Sequence, residues 1–306
     1  MPALDTSPPP PLPKRDPRGH KGTFGTAGVV GGCAVEPGVM LGAPALAARA
    51  ALRSGIGLAR LAMPASILAE GLTIEGSATG VALPVDRDHA LVPHSCAPLI
   101  DALINESGCV TVGPGMGGGE EVPQIVLRVV LQDETPVVID ADAINALART
   151  PDFVPDLRAP AIWTPHPGEF RRLADALRVG HDPTDDASRP DAAEEMAQRL
   201  GGVVVLKGAG TVVSDGHRTW VCPTGHACLA TAGTGDVLAG LITGLVAQYV
   251  RVSPAGGGLS LYDAARIGVW AHGRGGELWA RRGASAGLRA SELADLIPES
   301  LEPCRH

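Results

Sequence analysis

Short, continuously apolar segments alternate along the chain with longer segments in which apolar residues recur every three or four positions. The short segments are typical of strands buried on both faces, and the periodic segments are typical of helices that cover them. Strands are predicted at residues 27–30, 58–63, 109–112, 136–140, 161–164 and 203–206. Helices are predicted at residues 44–52, 122–131, 143–148, 169–177, 190–200, 261–282 and 291–301. This alternation predicts a three-layer α/β/α fold with a mostly parallel central sheet.

Three stretches depart from this alternation. Residues 211–214 and 219–221 are predicted to form a short hairpin that turns at Asp215 and Gly216. Residues 71–98 mix proline, glycine and charged residues, and they predict helix and loop. Residues 1–18 contain seven prolines and no apolar core. They predict a disordered proline-rich tail that precedes one domain over residues 19–306.

Composition narrows the possible functions. The hydrophobic content of 45% allows a sizeable core, while the net charge of −8 and the lack of a basic run argue against a nucleic-acid surface. Apolar residues never run on for the length of a membrane-spanning helix. The six cysteines form no C-x-x-C pair, which predicts reduced thiols in a cytoplasmic protein. The nine histidines form no zinc-binding motif.

The loop at residues 231–236 leads directly into a helix whose apolar positions keep a helical spacing for almost four turns. Gly233 and Gly235 would let a ligand approach the free N–H groups of its first turn, a favourable position for a phosphate. Asp236 would repel such an anion unless it has a separate task, such as accepting a proton from a substrate hydroxyl. The alternative, weighted equally, is that Thr234 or Asp236 caps the helix and the glycines only form a turn.

Four further polar clusters follow predicted strands. Because ligands bind at the carboxyl ends of parallel strands, all of them are expected on one rim of the sheet with the 231–236 loop. They are residues 113–119, 140–142, 165–169 and 207–211.

Each cluster also has a simpler interpretation. Gly113, Gly115 and Gly118 fit a dinucleotide-binding fingerprint, although the motif comes only after two earlier strands and leaves Asp236 without a purpose. The segment that begins at Lys207 suits a nucleotide's phosphates and ribose, or is only a tight turn. His166 is a ligand-binding or a structural histidine.

The acidic residues also leave alternatives open. Asp140 and Asp142 are candidates for binding Mg²⁺ or water near phosphates, since hard cations favour carboxylates. Asp142 is equally a candidate helix cap. Glu169 opens a predicted helix, where it is a favourable partner for the helix dipole.

Taken together, these clusters resemble the ADP-dependent NAD(P)H-hydrate dehydratases of the ribokinase-like superfamily, over roughly residues 19–301. The resemblance is carried by Lys21-Gly-Thr-Phe-Gly25, Gly42-Ala43, Ala50-Ala-Leu-Arg-Ser-Gly-Ile-Gly57, Gly113-Pro-Gly-Met-Gly117, Asp140-Ala-Asp-Ala143, Thr164-Pro-His-Pro-Gly-Glu169, Lys207-Gly-Ala-Gly-Thr211 and Ala232-Gly-Thr-Gly-Asp236. The His-Pro-Gly-Glu and Ala-Gly-Thr-Gly-Asp motifs in one chain are specific, whereas a single glycine motif is not.

The resemblance implies a hydro-lyase that repairs damaged cofactor. Hydrated NADH or NADPH would be dehydrated, with ADP consumed to AMP and phosphate, by phosphorylation of the ring hydroxyl and elimination of phosphate. Asp236 would activate the hydroxyl, and Gly233 and Gly235 would hold the transferred phosphate. The remaining roles are implied as follows: Ala43, Gly115, His166 and Asp236 for the hydrated nucleotide; Lys207, Gly208, Ala209, Gly210, Thr211 and Gly235 for ADP; Glu169 and Asp142 for Mg²⁺.

Two departures qualify the resemblance. Members often carry an N-terminal epimerase domain, and only about 18 proline-rich residues precede the similarity here, so we expect a dehydratase domain without the epimerase. Pro44 stands where the family usually has a small residue.

We also expect a homo-oligomer, with a tetramer as one candidate. Two alternatives to the dehydratase stay open. One is a vitamin-precursor or sugar kinase of the same fold, and the other is a non-enzymatic nucleotide-binding module.

Overall fold

The computed structural model describes residues 4–250 and 258–305. These residues form a nine-stranded sheet in the order β3-β2-β1-β4-β5-β6-β7-β8-β9. Neighbours from β3 to β7 are parallel, and β8 and β9 add an antiparallel hairpin at one edge. The strands are β1 (Thr26–Val30), β2 (Leu58–Pro64), β3 (Thr79–Leu83), β4 (Cys109–Val112), β5 (Val137–Ile139), β6 (Ala161–Trp163), β7 (Val203–Leu206), β8 (Val212–Ser214) and β9 (Thr219–Val221).

Helices cover both faces of the sheet, which confirms the predicted three-layer α/β/α fold. The helices are α1 (Gly42–Ser54), α2 (Leu68–Ile74), α3 (Pro93–Asn105), α4 (Val122–Val130), α5 (Asp142–Ala148), α6 (Pro167–Leu177), α7 (Arg189–Leu200), α8 (Thr234–Tyr249), α9 (Leu261–Ala280) and α10 (Ala290–Leu301). Helices α3 to α7 pack side by side on one face, while α1, α8, α9 and α10 pack together on the other. Among the residues described, no helix is both long and apolar enough to cross a membrane.

The strand order reverses between β1 and β4, because β2 and β3 continue from β1 in one direction and β5 to β7 continue from β4 in the other. Such a reversal opens a crevice at the carboxyl ends of the two central strands. Here the backbone after β1 meets the backbone after β4 directly, since Gly32 N–H donates to the Pro114 carbonyl at 2.9 Å. The fold therefore brings the loop that starts at Gly113 beside the start of α1.

Strand β3 was not predicted. It pairs only with β2, at the outer edge of the sheet, and its exposed and buried positions do not form the continuous apolar run used to recognise the other parallel strands. Gly80 lies within it, and the side chains of Leu68 and Leu72 on α2 occupy the space that a side chain at this position would need. Tertiary packing against α2, and not the local pattern, therefore stabilises this strand.

The N-terminal segment also differs from the predicted disordered tail, because residues 4–18 lie along the domain. Leu12 is buried, and its N–H donates to the Cys304 carbonyl at 2.6 Å. Arg15 donates to the Gly55 carbonyl at 2.7 Å, and its guanidinium stacks on Phe24. The prolines favour an extended backbone before docking, which lowers the entropy lost when the segment binds.

Close helix contact on the other face depends on Gly240 of α8. A Cβ atom at this position would lie 2.0 Å from the Ala47 carbonyl oxygen of α1. We expect Gly240→Ala to lower the free energy of unfolding by about 1–3 kcal/mol, because the backbones of two packed helices must separate. Urea denaturation measures the loss. Gly42→Ala is the control, since nothing lies within 4 Å of its Cβ position, and equal stability of the two variants would contradict the packing argument.

Candidate active site

Three charged side chains from different strand ends meet at the centre of the rim. Lys207 Nζ lies 2.8 Å from Asp140 Oδ1 and 3.6 Å from Glu169 Oε2. The exposed fractions of these side chains are 17%, 2% and 5% respectively, so the pairing takes place away from bulk water. Burial opposes a charged lysine, but the two carboxylates outweigh it and raise the pKa of Lys207. Lys207 is therefore a fixed positive charge under the rim.

His166 is the N-cap of α6 and forms a capping box with Glu169. Its Nδ1 accepts from the N–H groups of Gly168 at 2.9 Å and Glu169 at 3.2 Å, and Glu169 Oε2 accepts from the His166 N–H at 2.8 Å. His166 is therefore a structural histidine, and Glu169 is a partner of the helix N-terminus, as the simpler interpretations had it. About half of the His166 side chain remains exposed. Burial lowers the pKa of His166, with Lys207 and Arg172 adding to the effect, so the imidazole is neutral.

The first turn of α8 is free of a side-chain cap within the described structure. Gly233, in the left-handed conformation at φ 89°, occupies the N-cap position. The Thr234 hydroxyl instead donates to the carbonyls of Leu229 and Thr231, both at 2.8 Å. The alternative that Thr234 or Asp236 caps this helix is thus wrong. The N-terminus keeps N–H groups and a dipole that suit an anion.

Asp236 lies in that first turn, half-buried beside the charged centre. Burial raises the pKa of Asp236 to about 7; the Asp140 carboxylate adds to the rise, and Lys207 opposes it. A Cβ atom at the preceding Gly235 would be 3.6 Å from Lys207 Nζ. The lysine charge and the helix N-terminus therefore converge on the same small volume.

The glycine loop after β4 lies on the other side of this centre. A Cβ at Gly115, where φ is +62°, would lie 3.2 Å from the Ala43 Cβ on α1, so these two predicted ligand-binding residues are neighbours. Further along the loop, Gly117 N–H donates to Asp142 Oδ2 at 2.8 Å. Ala141 is the N-cap of α5 and Asp142 follows it without capping the helix. The capping interpretation of Asp142 is therefore wrong.

A cavity of about 580 Å³ opens beside α8, on the side away from this glycine loop. It is lined by Lys207, Gly208, Ala209, Gly210 and Thr211 after β7, by residues 222–227, 229 and 230, and by Thr234, Gly235 and His272. His272 Nε2 lies 2.9 Å from the Thr234 carbonyl oxygen, and burial lowers the pKa of His272 to about 4. Its neutral ring therefore donates this hydrogen bond, which holds the first residue of α8 against the side of the cavity.

With this geometry in view, the comparison with known proteins is decisive: a family model described as NAD(P)H-hydrate dehydratase matches residues 27–299. The chain belongs to this family. The Bacillus subtilis ADP-dependent (S)-NAD(P)H-hydrate dehydratase is 33% identical over 292 residues, which cover 94% of this chain and 92% of that protein. The Salinibacter ruber bifunctional NAD(P)H-hydrate repair enzyme Nnr is 38% identical over 291 residues, and the chain spans about half its length, 50%.

Structural similarity agrees with the family assignment. The crystal structure of an ADP/ATP-dependent NAD(P)H-hydrate dehydratase from Bacillus subtilis, co-crystallized with ATP/Mg²⁺, matches with a TM-score of 0.75 at 31% identity. The match covers 96% of this chain and 95% of that chain. The fold is ribokinase-like, as predicted.

Family membership overturns the dinucleotide-fingerprint interpretation of the glycine loop, and the geometry gives the reason. In that fingerprint the glycines open a helix whose N-terminus binds pyrophosphate. Here the last glycine of the fingerprint, Gly118, does not open a helix, because α4 begins at Val122 and its N-cap is Glu121. Gly113 is needed for close packing, because a Cβ there would lie 1.8 Å from the Asp140 carbonyl oxygen.

The prediction that Glu169 and Asp142 bind Mg²⁺ stays a prediction, and both carboxylates already have partners within the protein. Glu169 is held by Lys207 and its own capping box, and Asp142 by Gly117 N–H. Within residues 4–250 and 258–305, no three acidic, histidine or cysteine side chains form a metal-binding group. The two carboxylates thus help to hold the rim together, each with its own partner.

Arg189 was not predicted from the sequence, and it contacts the backbone at the start of the 207–211 loop. Arg189 is buried and donates to the carbonyls of Pro183 at 2.9 Å and Leu206 at 3.1 Å. A Cβ at Gly208 would lie 2.8 Å from its guanidinium. An arginine at the start of an amphipathic helix carries no sign of burial in the sequence. Thr164, whose hydroxyl donates to Asp140 at 2.7 Å, was likewise not assigned a role on its own.

Proposed function

We propose that the chain catalyses the ADP-dependent dehydration of hydrated NADH or NADPH to the working cofactor. The observation that carries the proposal is Asp236, a carboxylate with a pKa of about 7 in the uncapped first turn of α8. A general base works best when its pKa lies near the working pH. In a turn that only binds an anion, an ionised carboxylate would weaken the binding by repulsion.

In the proposed reaction, the oxygen of the ring hydroxyl attacks the terminal phosphorus of ADP, and Asp236 takes the hydroxyl proton. The bond between that phosphorus and the bridging oxygen breaks, and AMP leaves with the electron pair. The carbon–oxygen bond then breaks, phosphate leaves with its electron pair, and loss of a ring proton restores the double bond. Phosphorylation helps because phosphate is a much better leaving group than hydroxide.

The two sides of the centre support separate binding roles. ADP would occupy the 580 Å³ cavity beside the 207–211 loop, with its terminal phosphate at Gly233 and Gly235. Free N–H groups and the Lys207 charge favour an anion there. The hydrated ring would lie on the other side, at Ala43, Gly115 and His166. Mg²⁺ would neutralise phosphate charge, bound by the nucleotide's oxygens and water together with one or two carboxylates, for which Glu169 and Asp142 are the candidates.

A pH profile follows from the raised pKa of Asp236. Because the base must be ionised, kcat/KM is expected to fall about tenfold for each pH unit below about 7 and to level off above it. Initial rates between pH 5 and 9 measure this, with ADP saturating. An acid limb with its midpoint near pH 4 would remove the argument for a tuned base.

The function itself is tested by incubating the protein with hydrated NADH, ADP and Mg²⁺ and following the absorbance of the reduced nicotinamide. Recovery of the absorbance supports the dehydratase. No recovery, together with nucleotide-dependent phosphorylation of a vitamin-precursor or sugar alcohol, would favour a kinase of the same fold. Oligomeric state stays a prediction, which sedimentation velocity measures.

A further inference from the structure

A second cavity, of about 440 Å³, lies on the α5–α6 side of the rim. It is bounded by Gly117 and Gly118 of the glycine loop, by Asp142 and Asn145 of α5, and by Arg149 and Arg172. None of these residues lines the 580 Å³ cavity on the α8 side. Helices α5 and α6 beside this cavity belong to one helix layer, and α8 and α9 beside the 580 Å³ cavity belong to the other.

The two arginines of this cavity have no carboxylate partner among the residues that the structure describes. Arg172 Nη1 donates only to the amide oxygen of Asn145, at 3.0 Å. Arg149 makes no hydrogen bond there, and its Nη1 lies 3.7 Å from a Cβ position at Gly118. By contrast, Arg171 on the same helix bonds Thr184 and pairs with Asp182. Unpaired guanidinium groups that line a concave site are suited to bidentate binding of phosphate.

A chain of contacts links the second cavity to the proposed position of the hydrated ring. Gly117 lies two residues after Gly115, and Asp142 accepts its N–H. Asn145 connects Asp142, at 3.5 Å, to Arg172. Arg172 is close enough to lower the pKa of His166. A ligand that extends from Gly115 and His166 away from ADP therefore reaches the two arginines.

A hydrated dinucleotide is longer than the ring that reacts. ADP would fill the cavity on the α8 side. The adenosine half of the hydrated dinucleotide therefore has to extend away from that cavity, toward α5 and α6. We propose that the 440 Å³ cavity binds this half, with Arg149 and Arg172 contacting a phosphate of the dinucleotide. This rests on the proposed function. Asp175 also lines the cavity; its carboxylate would repel the phosphate and suits a ribose hydroxyl.

The test compares Arg149→Gln, Arg172→Gln and the double variant with Arg171→Gln, a matched charge removal on α6. KM and kcat are measured with hydrated NADH and with hydrated NADPH. We expect KM to rise about tenfold or more for each cavity variant, with kcat little changed, and Arg171→Gln to behave as wild type. A rise for hydrated NADPH alone identifies the ribose phosphate, and equal rises for both identify the pyrophosphate. Unchanged KM for both substrates in the double variant overturns the proposal.

A binding measurement separates failure of this site from failure of the proposed function. Calorimetry with 2′-phospho-ADP-ribose and with ADP-ribose, both lacking the nicotinamide, requires no turnover. Weaker binding to the double variant than to Arg171→Gln supports the site even if the protein proves not to be a dehydratase. Equal binding to both variants, in a protein that does restore NADPH, leaves the function standing and rejects the site.

Discussion

Asp236→Asn is expected to lower kcat for hydrate dehydration by about a thousandfold or more, while ADP binding stays within about twofold. The amide keeps the shape of the side chain in the first turn of α8 but cannot accept the hydroxyl proton. ADP would contact the N–H groups and Lys207, which the substitution leaves in place. Stopped assays measure the turnover, and calorimetry measures the binding of ADP.

The same variant carries an internal check on the raised pKa. Folding raises the pKa of Asp236 from 3.8 to about 7, so ionisation destabilises the folded state and stability falls as the pH rises through that interval. Asp236→Asn should therefore be more stable than wild type at pH 8, with the difference vanishing near pH 4. Asp191→Asn, in the first turn of α7, is the matched control. Activity within tenfold of wild type would refute the role of Asp236 as the base.

Lys207→Met is expected to lower the free energy of unfolding by about 3–5 kcal/mol, because two buried carboxylates lose the cation between them. Asp140 keeps its bond from Thr164, and Glu169 keeps its bond from the His166 N–H, but neither bond supplies a full charge. Lys14→Met, at an exposed position, is the control. Urea denaturation of both variants measures the difference.

The lysine variant should also change two pH dependences. Lys207 opposes the rise in the pKa of Glu169 and of Asp236. Without it both values rise further, so the stability loss should be larger at pH 8 than at pH 5. The acid limb of kcat/KM should move to higher pH. An unmoved acid limb in a folded variant would show that Lys207 does not act on Asp236.

Much of the fold could be predicted because its signals are local. Buried parallel strands such as Cys109–Val112 are continuously apolar, and the helices between them keep a clear period. The rim could be predicted because parallel strands end at one edge. Strand Thr79–Leu83 could not, since it is an edge strand held by one neighbour and one helix.

The detailed roles at the rim required three-dimensional contacts. Nothing near Lys207 in the sequence indicates that Asp140, 67 residues away, is its ion-pair partner. The alternative that Thr234 or Asp236 caps α8 could not be decided from the sequence, because it depends on Gly233 taking the left-handed conformation and on the Thr234 hydroxyl donating to preceding carbonyls. The docked N-terminal segment depends on Leu12 and Arg15 meeting partners far along the chain.

The coupling of dehydration to phosphoryl transfer is tested most directly by one measurement of stoichiometry. Hydrated NADH is incubated with the protein, Mg²⁺ and limiting ADP, and reduced nicotinamide, AMP and inorganic phosphate are quantified together. The account predicts one AMP and one phosphate for each NADH restored, and no restoration without a nucleotide. Restoration of NADH without AMP formation would contradict it.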